Sequence, residues 1–316
     1  MVKEIVHQSV LSDKIIKFLN PGSKKSLLID STLGEGGHTE FFLSRFPRLK
    51  VIGIETDEEI IKVAEKRLAK YKARFSSVNV WFTDFYSNYE KYSKIRPDYI
   101  LFDLGISNFH YKSSKRGFSF NIDEDLDMRL STDLAVSAKD IVNSYSEGEI
   151  SSIFFKYGEE RFSRRIAKKI IEYRAGKKIN TTFQLVEIIK SVVPSYQSRI
   201  HPATRCFQAL RIAVNKELEN VENAIKSAFK VLKIGGRIAV ISFHSLEDRI
   251  VKRFFKIMNK SCTCPPEWPI CKCKGQKKLE ILTKKPIVPD RSEIDKNKAS
   301  RSSKLRVAEK LIEDED

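Results

Sequence analysis

The stretch SLLIDSTLGEGGH, residues 26–38, decides the fold. Leu27, Leu28 and Ile29 make a short apolar run of the kind buried on both faces of a parallel sheet. Asp30, Ser31 and Thr32 follow, then a loop carrying Gly34, Gly36 and Gly37. Beyond His38 the pattern turns helical, with Phe41, Phe42 and Phe46 near one stripe. Strand, glycine turn and helix build a nucleotide site, because a loop stripped of side chains lets the backbone approach a ligand closely. The spacing is G-x-G-G and not the G-x-G-x-x-G that cradles a dinucleotide pyrophosphate, so the ligand implied is of nucleoside type.

The same grammar continues outward. A second apolar strand over 51–54 ends at Glu55, and the helix expected over 57–71 places Ile61, Ala64, Leu68 and Tyr71 on one face. A third strand over 78–82 closes on Thr83, Asp84 and Phe85; a fourth over 99–104 carries Asp103. Strands alternating with helices at this spacing predict an α/β fold with a parallel sheet. After Gly105 the alternation stops. Ser146 and Glu149 form a capping box, and Phe162, Ile166, Ile170 and Tyr173 recur along one helical stripe. From Phe207 a long helix leads to Gly235-Gly236, a strand over 237–242, and an antiparallel pair over 279–288 and 304–311. The expected organisation is a discontinuous α/β domain of 1–105 and 206–316 holding an all-helical insertion of 106–205.

The formal net charge of the 316 residues is +17, which favours polyanions, nucleic acid before a membrane surface. No apolar run approaches the ~20 residues that cross a bilayer. The N-terminal residues lack the layout of a secretory signal, so the expected location is cytoplasmic. Cys262, Cys264, Cys271 and Cys273 form a C-x-C…C-x-C pair. Four thiolates satisfy tetrahedral zinc, but zinc sites usually leave at least two residues inside each pair, so the metal content stays open.

In an open parallel sheet, ligands bind beyond the carboxyl ends of the strands. Those ends carry Asp30, Glu55, Asp84 and Asp103, with Ser242 and His244 after the fifth strand. Glu55, about twenty residues past the glycine loop, suits the two hydroxyls of a ribose, in NAD and in S-adenosylmethionine alike. Phe85 suits either stacking on adenine or ordinary core packing. Asp103 suits hydrogen bonding to an exocyclic amine whose lone pair must be freed for attack. In the insertion, residues 156–178 hold nine Lys or Arg against three Glu. Arg161 and Arg165 there are candidates for phosphate contacts, or else a solvated helix face. In RGFSF, Arg116 with Phe118 and Phe120 is a candidate base clamp, the alternative being core packing. A NAD-dependent oxidoreductase lacks its third-glycine spacing, and a DNA amino-methyltransferase lacks its (D/N/S)-P-P-(Y/F) tetrapeptide. A non-catalytic RNA-binding module remains open.

DSTLGEGGH (30–38), FDLGIS (102–107), YGEERFSRRIA (157–167), HPATRCFQALRI (201–212) and SFHSLEDRIVKRFF (242–255) resemble the MraW/RsmH family almost end to end. The resemblance implies a class I, Rossmann-like methyltransferase sheet with an inserted helical domain for substrate recognition. It implies S-adenosylmethionine as methyl donor, and as acceptor the N4 amine of a cytidine in the decoding region of 16S ribosomal RNA, met in the small ribosomal subunit. Carried over by position, the cofactor contacts are Gly36, Gly37, His38, Glu55, Phe85 and Asp103, with Asp103 also catalytic. His110 stands where the family has Gln in a Ser-Ser-Pro-Gln run, and Glu55 where it usually has Asp. Arg116, Phe118, Arg161, Arg165, Arg205, Ser242 and His244 are the expected substrate contacts.

Overall fold

The computed structural model describes residues 9–194, 200–261 and 275–313. The cysteine cluster at 262–273 lies outside them. The chain forms two compact units, Met1–Gly105 with Leu218–Asp316, and Ile106–Glu217.

In the first unit β1 (Ser26–Asp30) is central, with every residue after Ser26 buried. It pairs in parallel with β2 (Leu49–Glu55) on one side and β4 (Tyr99–Asp103) on the other. With β3 (Phe75–Asn79), β5 (Arg237–Ser242), β6 (Leu279–Ile281) and β7 (Lys304–Lys310), the sheet runs in the order β3-β2-β1-β4-β5-β7-β6. β7 is antiparallel to both neighbours. This is the class I methyltransferase sheet that the resemblance implies. The order reverses between β1 and β4, which opens the ligand crevice at their carboxyl ends.

Successive strand residues face opposite sides, so each apolar run serves two cores. Leu27, Ile29, Ile100 and Phe102 pack with Phe229, Val251 and Phe255 on one face. Leu28, Leu101, Ala239 and Ile241 pack with Phe42, Ile61 and Leu68 on the other. Two buried cations hold the antiparallel edge. The Arg306 guanidinium on β7 donates to both Asp248 oxygens, at 2.7 and 3.1 Å. Lys310, fully buried, donates to the Lys230 and Leu232 carbonyls at 3.0 and 2.9 Å. Those are last-turn carbonyls that a helix cannot satisfy itself.

The second unit is helical. Ala138–Ser144, Glu147–Gly158, Ser163–Arg174, Thr182–Lys190 and Thr204–Asn215 surround a core that includes Phe154, Ile166, Ile170, Leu185, Ile189 and Leu210. Gly158 marks a close approach of two helices: a Cβ there would sit 2.5 Å from the Arg205 carbonyl oxygen.

Three expectations change. The helical unit runs to Glu217 and not 205, because Cys206, Phe207, Leu210 and Val214 belong to its core. The long helix is two, Thr204–Asn215 and Glu217–Val231, broken at Lys216 with φ +48°. The third strand lies at 75–79, and residues 82–87 form a short helix.

Candidate active site

The glycine loop is built by tight contacts to β2. The Leu33 amide donates to the Ile54 carbonyl at 2.8 Å. A Cβ at Gly53 would stand 2.6 Å from the Leu33 side chain, so the loop packs directly on the bare backbone of the strand. Gly36 caps the Gly37–Arg45 helix at φ +80°, and a Cβ there would stand 2.9 Å from Leu68. Backbone is thus bared where a ligand would approach it.

Glu55 secures this loop. Its Oε2 accepts from the Gly34 amide at 3.0 Å, and its Oε1 from the Thr56 and Asp57 amides, each at 2.9 Å. An ionised carboxylate is an acceptor on both oxygens, the chemistry a ribose hydroxyl needs at this strand tip.

Across the switch point, His38 Nε2 lies 3.3 Å from Asp103 Oδ2. The Asp103 amide donates to Thr32 Oγ1 at 2.6 Å, which ties the β4 tip to the loop after β1. Behind them Asp30, fully buried, accepts from Thr39 Oγ1 at 2.7 Å. Burial raises the Asp30 pKa above its ordinary value, although His38 and Thr39 pull it down. For His38, burial disfavours the charged form, but the Asp103 carboxylate, then Asp30, outweigh it and raise the pKa above 6.5. The Asp103 and Asp30 carboxylates thus both favour the charged form of an imidazole whose Nε2 faces Asp103. Asp103 Oδ1 is buried with no hydrogen-bond partner among the described residues. A buried acceptor left unpaired costs about 1–3 kcal/mol, so this oxygen points to a donor from a bound molecule. An orphaned acceptor beside a glycine cradle and a ribose-type acid fits S-adenosylmethionine and an amine acceptor.

Glu55, Asp103, His38 and the Gly36-Gly37 turn therefore come together, as the strand tips predict. Thr32 and Thr39 escaped notice because neither stands at a strand end; only the D-S-T run beside the glycine loop hints at them.

Other expectations are corrected. Phe85 is fully buried, stacked on Tyr92 at 4.9 Å and set edge-on to Tyr86 and Tyr89. Its ring is core, with no face for adenine, while Asp84 lies exposed on the 82–87 helix. Phe118 is buried in the helical core, and the Arg116 guanidinium donates to the Arg129 and Leu130 carbonyls, so the two are no base clamp. His110 is buried in the same unit, its ring edge-on to Phe118 at 5.1 Å. The Arg205 guanidinium donates to the Glu159 carbonyl at 3.1 Å. Ser242 is buried against β7, and His244 caps the Ser245–Met258 helix, with Nε2 3.1 Å from Glu247 Oε1. Both stand at the β5 tip beside β4; the Ser242 hydroxyl and His244 Nδ1 are engaged locally, while the buried His244 Nε2 makes no hydrogen bond among the described residues. Arg161 and Arg165 are exposed on the helical unit.

A family model described as the MraW methylase family matches residues 4–311. The chain is 49% identical over 308 residues to a ribosomal RNA small subunit methyltransferase H of Treponema denticola, covering 97% of this chain and 98% of that one. It is 43% identical over 310 residues to the protein of that name from Brevibacillus brevis, covering 96% and 98%. No helix among the described residues is long and apolar enough to cross a membrane.

Proposed function

The chain belongs to the MraW methylase family, and from that premise we propose that it methylates the N4 amine of a cytidine in the decoding region of 16S ribosomal RNA, using S-adenosylmethionine. The observation that carries this reading is the buried, partnerless Asp103 Oδ1 at the switch point. Bound S-adenosylmethionine supplies an electrophilic methyl carbon on a sulfonium, whose loss leaves a neutral thioether. Gly36, Gly37, His38 and Glu55 would hold it, with Glu55 toward the ribose.

Asp103 acts on the acceptor. The N4 lone pair of cytosine is delocalised into the ring, which makes the amine a weak nucleophile. An N–H of that amine donating to Asp103 Oδ1 fixes the orientation for in-line attack and draws electron density back to nitrogen. As N4 gains its methyl group it must lose a proton, and the carboxylate is placed to take it up. His38, on the opposite oxygen, keeps the carboxylate aimed. Holding the two reactants together supplies much of the rate, since effective molarities of about 10⁵ M and above are available to well-oriented groups.

The substrate is met in the small ribosomal subunit, hence in the cytoplasm, and the basic surface with Arg161 and Arg165 supplies phosphate contacts. The decisive experiment is mass spectrometry of small-subunit RNA from cells lacking the protein. One cytidine methyl group at N4 should disappear, and an unchanged methylation pattern would end the proposal.

Glu55 gives a second test. Glu55→Ala should weaken S-adenosylmethionine binding about ten- to a hundredfold, the range for losing hydrogen bonds to a charged group. Glu55→Asp, which restores the family's usual residue, should stay within about tenfold of wild type on the same scale. Calorimetric titration with S-adenosylmethionine and with NAD reads both effects, and NAD should bind neither variant nor wild type. Equal affinities in all three proteins would remove Glu55 from the cofactor site.

A further inference from the structure

The described arginines of the helical unit sort into two sets. Arg116, Arg129, Arg174, Arg205 and Arg211 spend their guanidinium groups on nearby carbonyls and carboxylates. Arg161, Arg164 and Arg165 are exposed and take no ion pair among the described residues. Only Arg165 has a neighbour of note, the Phe162 ring at 5.9 Å. All three line one cavity of about 860 Å³ between the Glu147–Gly158 helix and the start of the Ser163–Arg174 helix.

The opposite wall is different in kind. It carries Ser151, whose hydroxyl meets Ser163 Oγ at 3.5 Å, with Ser152 and Phe155, and Glu147 is the single acid. Phe155 is 65% exposed, the most exposed large apolar side chain among the described residues. A ring so exposed adds nothing to the core, yet it lines a cavity with three uncommitted guanidinium groups opposite. Arginines attract phosphate, and an aromatic ring accepts the face of an unstacked base. Hydroxyls and a carboxylate offer partners to a 2′-hydroxyl or a base edge. An acidic peptide would use the arginines but leave the ring without a role.

We propose that this cavity is a subsite for one single-stranded nucleotide of the substrate RNA, its base on Phe155 and its flanking phosphates on Arg161, Arg164 and Arg165. This rests on the rRNA methyltransferase reading and adds to it. None of the residues lining the cavity belongs to the Asp103 site, so the subsite proposed is additional to it. A duplex cannot enter, because stacking on Phe155 requires a base already out of its helix.

The test uses the full chain, a fluorescent single-stranded heptauridylate, and small subunits lacking the methyl group. Phe155→Ala should weaken heptauridylate binding about tenfold and raise KM for subunits in step, with Phe155→Trp restoring both. Arg164→Ala should weaken binding and lower the slope of log affinity against log salt by about 0.7. Affinity for S-adenosylmethionine should not move in any of them, which checks folding. A benzophenone side chain at position 152 should crosslink to RNA. Unchanged affinity and salt slope in both variants would overturn the subsite, as would crosslinking to a ribosomal protein instead. Failure of the wild type to methylate subunits, with RNA binding still lost in the variants, would overturn the methyltransferase reading and leave the subsite standing.

Discussion

Asp103→Ala is expected to lower methyl transfer to small subunits by about a thousandfold or more, within the range of losing a group that handles the proton. The loss should fall on kcat, because the carboxylate orients and deprotonates the amine and the RNA is held elsewhere. The fold should survive. Asp103 Oδ1 has no partner among the described residues, so its removal relieves an unsatisfied acceptor, and the only side-chain contact given up among those residues is that of Oδ2 with His38. Asp103→Asn is the sharper variant. It keeps the shape but turns one acceptor into a donor, and it should be nearly as inactive as alanine. The same substitutions report on His38, whose pKa is raised chiefly by Asp103 against the pull of burial. Without that carboxylate the imidazole should titrate at lower pH, and an NMR titration of His38 reads the change directly. Activity of Asp103→Ala within tenfold of wild type would remove Asp103 from the chemistry.

Arg306→Leu is expected to cost about 3–5 kcal/mol of stability, the usual price of stripping one partner from a buried ion pair. At roughly 2–4 °C per kcal/mol for a body of this size, the melting temperature should fall by roughly 6–20 °C. The lower end is expected, since Lys304 Nζ remains 3.6 Å from Asp248. The pair matters to the site because Asp248 lies in the first turn of the Ser245–Met258 helix, just after His244 at the β5 tip. Acid should erase the difference between variant and wild type. Burial raises the Asp248 pKa, but Arg306 and then Lys304 outweigh it and hold the group below its ordinary 3.8. A depressed folded-state pKa stabilises the protein above about pH 3.8 and ceases to do so as pH falls through the folded value. Denaturant melts of both proteins from pH 6 down to pH 2 should therefore converge. The double variant Asp248→Leu/Arg306→Leu should recover most of the loss at pH 7, and curves that stay parallel down to pH 2 would refute the assignment.

Much of the fold is legible in the chain because its signals are local. Leu27 to Ile29 read as a strand buried on both faces, and the following glycines read as a loop, without reference to anything distant. The carboxylates at β1, β2 and β4 are legible for the same reason: strand ends in a parallel sheet share one edge. Phe85 was not legible. Whether an aromatic residue after a strand faces a ligand or the core depends on Tyr86, Tyr89 and Tyr92, and residues 82–87 turned out helical. Arg116 and Phe118 failed likewise, since the carbonyls that occupy Arg116 lie 13 and 14 residues along the chain. Nothing in the composition marks Lys216, left-handed at φ +48°, as a helix break.

From the sequence alone come the parallel α/β sheet, the helical interruption after Gly105, the positive surface and the acids that ring the ligand crevice. All of these follow from periodicity, turn chemistry and charge, which act over a few residues. Tertiary structure alone decides which of those polar groups are already spent. Packing gives Ser242, Arg116 and Arg205 nearby backbone partners, and among the described residues it leaves one oxygen of Asp103 without a hydrogen bond and Arg161, Arg164 and Arg165 without an ion pair. A hydrogen bond needs two groups within about 3 Å, and which groups meet at that distance is settled by the whole folded chain.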